Sequence, residues 1–423
     1  MRVRTLLTAA VIAAASMLPA AQPASAAPPP GCTLKDAEIY APAPKVVTGE
    51  NGDLVGCTEV RLTTAPIDVA YKAWKIRYVS TDVKGRKILV SGFVAVPDAP
   101  WTKGGSRPVV ANSAFTHGSG SQCSISKQLS GNFNDGYDGP IIAGFLKQGW
   151  AVAASDGVGY LDGETHSYVN GPNAAHSVLD SVRAAYRLPG KPVAPGGKVG
   201  LTGYSEGGAG SLWAAQEAKS YAPELNVVGV ASGGVPGDLK VTAEMMSGGF
   251  FAGFMAIAVI GLHVSYPEMP FAELLNDFGK KAVKDVVSHC MFGTLAIFAG
   301  KKIEDFTTKK LTLPQIYALK GPDGTTWGEI LDRHKLGVGI GRAGSGARYE
   351  IGFPVFQYRG WFEEAIPHET TDETRALYCK AGIPTSWKNG YPTEHATTYF
   401  GAAGDVLKFL DDRFTGRPFT GNC

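Results

Sequence analysis

Gly203, Ser205 and Gly207 stand in the spacing G-x-S-x-G, inside the stretch LTGYSEGGAG that begins at Leu201. A serine hydroxyl is a weak nucleophile until a neighbouring base takes its proton, and this spacing is one way for a chain to present such a serine. A strand turns sharply into a helix, the serine sits at the strained tip, and small neighbours clear the space. Gly208, Ala209 and Gly210 would let the new helix pack close to the sheet. Its free N–H groups would face developing negative charge. The chemistry available to such a serine is acyl transfer through a covalent ester. Glycine is common in the chain, at 54 of 423 residues, so context matters. An apolar run, Val199–Thr202, precedes the motif and an alanine-rich segment follows it, as strand and helix would.

A nucleophilic serine needs a base, and the base needs an orienting carboxylate. Where this elbow occurs, the chain order is serine, acid, histidine. His334, His368 and His395 come late enough. His395, in GYPTEHATTYF, has a turn with Gly390 and Pro392 before it and a helix after it, and is the expected base. His368 directly follows Pro367 and reads as a surface residue, and His334 lies at the trailing edge of an intervening region. The acid should follow the apolar run PVFQY, in RGWFEEAIP, where Glu363 is three residues beyond Gly360 and Glu364 is the alternate. An oxyanion needs two N–H donors. Glu206 supplies one from its backbone, and Gly118 or Ser119 of the loop THGSG supplies the other. His117 precedes the serine and by chain order is not the base. Singly, each feature has an ordinary reading: a solvated Glu pair, a flexible Gly/Ser turn, a packing histidine.

These residues need a scaffold. Tyr71–Val79 and Lys87–Val96 read as a hairpin, and the segments from Arg107, Trp150, Val199, Val227 and Pro354 read as strands, with a short one near Thr385. Helical patterns cover Gly139–Gly149, Gly171–Leu188, Thr370–Lys380 and Thr398–Phe414. Strands alternating with helices predict an α/β fold with a mostly parallel sheet, the early hairpin at its edge.

The first 26 residues have a basic start, an apolar core and the small-residue cleavage site Ala24-Ser25-Ala26, which predicts a secretory signal peptide over 1–26 and an extracellular product. All six cysteines, Cys32, Cys57, Cys123, Cys290, Cys379 and Cys423, lie beyond it, and an even number in an exported chain predicts three disulfides whose pairing stays open. No spacing typical of a metal site appears, so neither metal nor cofactor is expected. A formal net charge of only +2 without a long basic run gives no sign of nucleic-acid binding.

Together GYSEGG, the THG loop with Cys123 beyond it, ASDGVGY, GPNAAHSVLDSVRAA, YRGWFEEAIP and Glu394-His395 resemble the secretory lipases, a family of fungal and actinobacterial enzymes. The resemblance covers most of the chain after residue 26. It implies an α/β-hydrolase fold with a helical cap inserted between nucleophile and acid. It also implies hydrolysis of carboxylic esters, often acylglycerols, by Ser205, Glu363 and His395. The family usually has Asp where this chain has Glu363, and related bacterial chains often have His where it has Arg359. The resemblance further implies that Cys123 pairs with Cys290, which leaves Cys32–Cys57 and Cys379–Cys423. The expected organisation is hydrolase domain over 27–236 and 346–423, with the cap over 237–345.

Within that cap no charge occurs from Met245 to Leu262. Its glycines, and its position inside one α/β domain, favour a buried helix over a membrane span. Phe250, Phe251, Phe254 and Met255 are candidates for lining an acyl pocket, or for the cap's own core. The expected partner is an acyl-ester or lipid substrate, with at most transient contact with a lipid surface and no anchor after leader cleavage; the oligomeric state is left open. Three rival readings are a serine peptidase, an acyltransferase, and a secreted binding protein that kept the fold. A peptidase would need pockets for an amino terminus or side chain, often acidic, and the apolar cap argues against one.

Overall fold

The computed structural model describes residues 31–132 and 136–423, and the expected leader, 1–26, lies outside the described residues. Among the described residues eleven strands run in chain order: β1 Leu54–Val60, β2 Tyr71–Thr81, β3 Lys87–Pro97, β4 Val109–Ser113, β5 Ala151–Gly157, β6 Lys198–Tyr204, β7 Asn226–Gly233, β8 Ile340–Arg342, β9 Tyr349–Ile351, β10 Val355–Phe362 and β11 Thr385–Glu394. Nine of them form one sheet in the order β1-β2-β3-β5-β4-β6-β7-β10-β11. The pairs from β5 to β11 are parallel, and β1, β2 and β3 join antiparallel at one side. The edge is thus three antiparallel strands rather than a hairpin alone. β8 and β9 make a separate small pair.

Central parallel strands are covered on both faces, so their sequences are apolar or small throughout rather than alternating. Every residue of β4 is buried, as are the first six of β5. The helices Gly171–Ala185 and Glu206–Tyr221 pack on one face, burying Val178, Leu179, Leu212 and Trp213. The helices Gly139–Lys147 and His395–Phe414 cover the other, burying Phe145, Val406 and Leu410.

Between β7 and β8 the chain leaves the sheet for six helices: Leu239–Met246, Ala252–Ser265, Asp277–Ser288, Met291–Phe298, Leu313–Tyr317 and Trp327–Arg333. The uncharged run from Met245 to Leu262 is therefore not one helix. It is cut at Ser247–Phe251, where Gly248 takes φ +81°, a conformation that a side chain disfavours. No helix among the described residues is long and apolar enough to cross a membrane.

Disulfides join Cys32 to Cys57, Cys123 to Cys290 and Cys379 to Cys423. Cys123 lies in the loop after β4, and Cys290 directly precedes the helix Met291–Phe298, so the second bridge fastens that loop to the helical insertion.

Candidate active site

β6 ends at Tyr204, and Ser205 takes φ 56° and ψ −119° before the helix begins at Glu206. That backbone is strained for any residue with a side chain. The turn is closed tightly enough that a Cβ on Gly203 would come within 2.1 Å of the Gly207 carbonyl oxygen. One on Gly207 would come within 2.2 Å of the Ser113 carbonyl oxygen. The two glycines of the motif are thus required by backbone contact on either side of the serine.

Ser205 Oγ lies 2.9 Å from His395 Nε2, and His395 Nδ1 lies 2.6 Å and 2.8 Å from the two carboxylate oxygens of Glu363. Glu363 follows the last residue of β10, and His395 is the first residue of the final helix. The turn expected around Gly390 and Pro392 is instead the continuation of β11, which runs to Glu394. β11 is an edge strand, where proline's missing N–H costs no ladder bond.

The two glutamates do different things. Glu363 is buried, and its Oε1 also accepts the N–H groups of Ala365 and Ile366 at 3.1 and 2.9 Å. Burial pushes its carboxyl up, but the charge and hydrogen bond of His395 and those two N–H groups outweigh it and hold it below the usual carboxylate range. Glu364 accepts the backbone N–H of His395 at 2.9 Å and does not hold the ring. Tyr204 adds a hydroxyl bond to the His395 carbonyl at 2.6 Å, a positioning contact for which the sequence carries no signal.

The hydrogen bonds of the THGSG loop run to its neighbours. The His117 carbonyl accepts from Met291 N–H at 2.9 Å, Gly118 carries φ +115° against Cys290, and the Ser119 carbonyl accepts from His166 N–H at 3.0 Å. His117 itself is buried against Asp138. Arg359 is buried with its guanidinium on Asp372 at 3.2 Å.

Residues 125–422 match the model of the secretory lipase family. The chain belongs to that family. It is 30% identical to Lipase 5 of Candida albicans over 67% of this chain and 59% of that protein. It is 29% identical to a secreted triacylglycerol lipase of Malassezia globosa, over 66% of this chain and 56% of that one. A Mycobacterium tuberculosis protein described as a probable inactive lipase is 28% identical, over 66% and 58%. These alignments span less than two thirds of the relatives' own lengths. Candida antarctica lipase A shares the fold at a TM-score of 0.76 and 22% identity, over 91% of this chain and 88% of that one. A rice cell wall degrading esterase of Xanthomonas oryzae does so at 0.66 and 15%, over 86% and 98%. The family and these neighbours give the fold class, an α/β hydrolase.

Beside Ser205 this family member has an apolar cavity of about 1340 Å³, counting the part open to solvent. It extends from the serine into the helical insertion, past Leu239, Met246, Phe254, Met255 and Phe306, and none of its lining residues is charged. Of the four sequence candidates, Phe254 and Met255 line it. Phe250 does not: it precedes the helix, is 65% exposed and packs edge-on against Phe251, which is also off the cavity.

His334 is removed from this site. Its Nδ1 accepts the Gly171 N–H at 3.2 Å, so its Nε2–H donates to the Tyr266 hydroxyl at 2.9 Å. Burial, then the charge of Arg333, lowers its pKa from 6.5 to about 4. The unfolded chain therefore binds more protons between those values. The stability contributed by the neutral ring is full above pH 6.5 and is lost as pH falls towards 4, on the order of 3 kcal/mol. Urea unfolding at pH 7 and pH 4.5 should show a smaller acid loss in His334→Gln than in the wild type, and equal losses would reject this account.

Proposed function

We propose that the chain is a secreted serine carboxylic-ester hydrolase of the lipase type, acting through an acyl-enzyme on Ser205. The observation that carries the reading is the hydrogen-bonded series Ser205–His395–Glu363 opening onto an uncharged cavity. One relative is described as a probable inactive lipase, so the reading rests on this chain's own contacts as well as on its family. Glu363 keeps Nδ1 of His395 protonated, which leaves Nε2 free to take the Ser205 proton. The serine oxygen attacks the ester carbonyl. Its oxygen becomes an anion facing the Glu206 N–H, with a second donor from Gly118 or Ser119. His395 returns the proton to the leaving alcohol. Water then repeats the sequence on the acyl-enzyme and releases the acid. The leader-like segment and the three disulfides support export.

In this reading residues 237–345 act as a cap whose interior receives the acyl chain. An uncharged cavity suits an alkyl chain and offers no charged partner to an amino terminus, which argues against the peptidase reading. The experiment is hydrolysis of p-nitrophenyl esters of increasing chain length, with product analysis in the presence of an added alcohol to measure transfer. Absence of ester turnover would reject the hydrolase reading, and a dominant transfer product would replace it with the acyltransferase.

The chain-length dependence gives a residue-level prediction. Each buried methylene contributes ~0.8 kcal/mol, so four more carbons in the cavity contribute on the order of 3 kcal/mol, of which only the part realised in the transition state raises the rate. Phe254→Ala should change the ratio of long-ester to short-ester rates several-fold, and Phe250→Ala should leave it alone. An unchanged ratio in Phe254→Ala would assign that residue to packing alone.

A further inference from the structure

A second acid–imidazole pair sits directly behind the nucleophile. Glu206, the residue after Ser205, has Oε1 2.6 Å from His166 Nε2, and both side chains are largely buried. His166 Nδ1 lies 2.9 Å from the Val158 carbonyl oxygen, which only accepts, so Nδ1 carries a hydrogen. The 2.6 Å contact then holds one more proton, because two bare lone pairs would repel there. Whether that proton is on the ring or on the carboxyl, the pair as a whole is neutral. His166 is the one side chain hydrogen-bonded to the Glu206 carboxylate among the described residues.

The same histidine touches both segments that carry the candidate oxyanion donors. Its side chain holds Glu206 at the start of the elbow helix. Its backbone N–H donates to the Ser119 carbonyl at 3.0 Å. Its ring stacks on Tyr160 at 4.4 Å, and the Tyr160 hydroxyl donates to the Gly118 carbonyl at 2.6 Å. Burial, then the Glu206 charge, raises the Tyr160 phenol above its ordinary value, so it remains a donor.

We propose that His166 and Glu206 are a positioning pair for the oxyanion. His166 cancels a carboxylate charge one residue from the nucleophile and fixes the two donor segments relative to each other. The physical need follows from the reaction, on whose reading above the proposal rests. Attack by Ser205 develops negative charge at the Glu206 N–H, and an uncompensated carboxylate on that same residue would oppose it in a site partly shielded from water. The pair leaves the elbow its side-chain anchor without that opposing charge.

The test is a cycle of His166→Gln, Glu206→Gln and the double variant, with kcat and KM measured on a short soluble p-nitrophenyl ester and stability followed by thermal unfolding. His166→Gln exposes the bare carboxylate and should lower kcat about a hundred-fold with little change in KM, the size of losing one oxyanion donor. The double variant removes the charge as well and should recover on the order of ten-fold over His166→Gln. A merely structural pair predicts the opposite, since the double variant has lost more contacts. Glu206→Gln against Glu206→Ala gives a second measure that does not need His166→Gln to fold. Glutamine can still bond His166, so it should keep a higher kcat than alanine at matched stability. A wild-type kcat in His166→Gln, a double variant no faster than His166→Gln, or equal kcat in Glu206→Gln and Glu206→Ala would overturn the pair. Ester turnover that survives Ser205→Ala would instead overturn the reading of the site, and the pair with it.

Discussion

Ser205→Ala is expected to lower ester hydrolysis by several orders of magnitude while the protein stays folded. The size follows from how the site is linked. In the proposed reaction the proton that His395 returns to the leaving alcohol is the one it took from Ser205, and Glu363 supports that transfer, so losing the serine oxygen makes the rest of the series idle. What remains is the oxyanion donors and substrate binding, which together give about a thousand-fold over water. Folding should survive because the strain at Ser205 is in its backbone, φ 56° and ψ −119°, and alanine adds no new atom there. The Ser205 side chain also makes no cap bond at the start of its helix, so none is lost. The measurement is kcat/KM on a p-nitrophenyl ester beside a thermal unfolding curve. Near-wild-type turnover in a folded variant would end the reading of the site.

The elbow was legible because its constraints are local. Backbone contact at 2.1 Å and 2.2 Å dictates glycine at 203 and 207, and a buried parallel strand dictates the apolar run before them. For the histidine that meets Ser205, chain order left His334, His368 and His395, and the helix pattern after His395 singled it out. The strand leading to it was not legible, because Gly390 and Pro392 are turn signals in most contexts and are tolerated here by an edge strand. The spacing from Gly360 and the family resemblance favoured Glu363 over Glu364, but spacing alone left Glu364 open. The two are adjacent, both bond His395, and only the side-chain directions separate ring from backbone. The helical insertion misled for a related reason. Phe250 and Phe254 share a face only if one helix spans both, and the break at Ser247–Phe251 removes that register. His166 carried no signal, because its partner is 40 residues away and the pairing is made by the fold.

Glu363→Gln should lower kcat about a thousand-fold or more, the scale seen when the orienting acid of such a series becomes an amide, and Glu364→Gln should cost less than ten-fold. The first effect depends on how the amide would seat. Glu363 Oε1 accepts from Ala365 N–H and Ile366 N–H, so the glutamine oxygen must take that position. Its NH2 group then falls where Oε2 lies, 2.8 Å from His395 Nδ1. The amide oxygen stays 2.6 Å from Nδ1, but the negative charge that supports the protonated ring is gone, and the NH2 group beside it competes for Nδ1 as a donor, which favours the tautomer that presents a hydrogen to Ser205 instead of a lone pair. The base is weakened by loss of charge and by tautomer competition with almost no change in shape. Among the described residues Glu364 accepts only from the His395 backbone N–H, and a glutamine oxygen accepts equally well. The comparison is kcat for the two variants on one ester, with unfolding curves to show that each is folded. The reverse ranking would move the acid to Glu364 and would require the ring to turn away from the buried carboxylate it now faces.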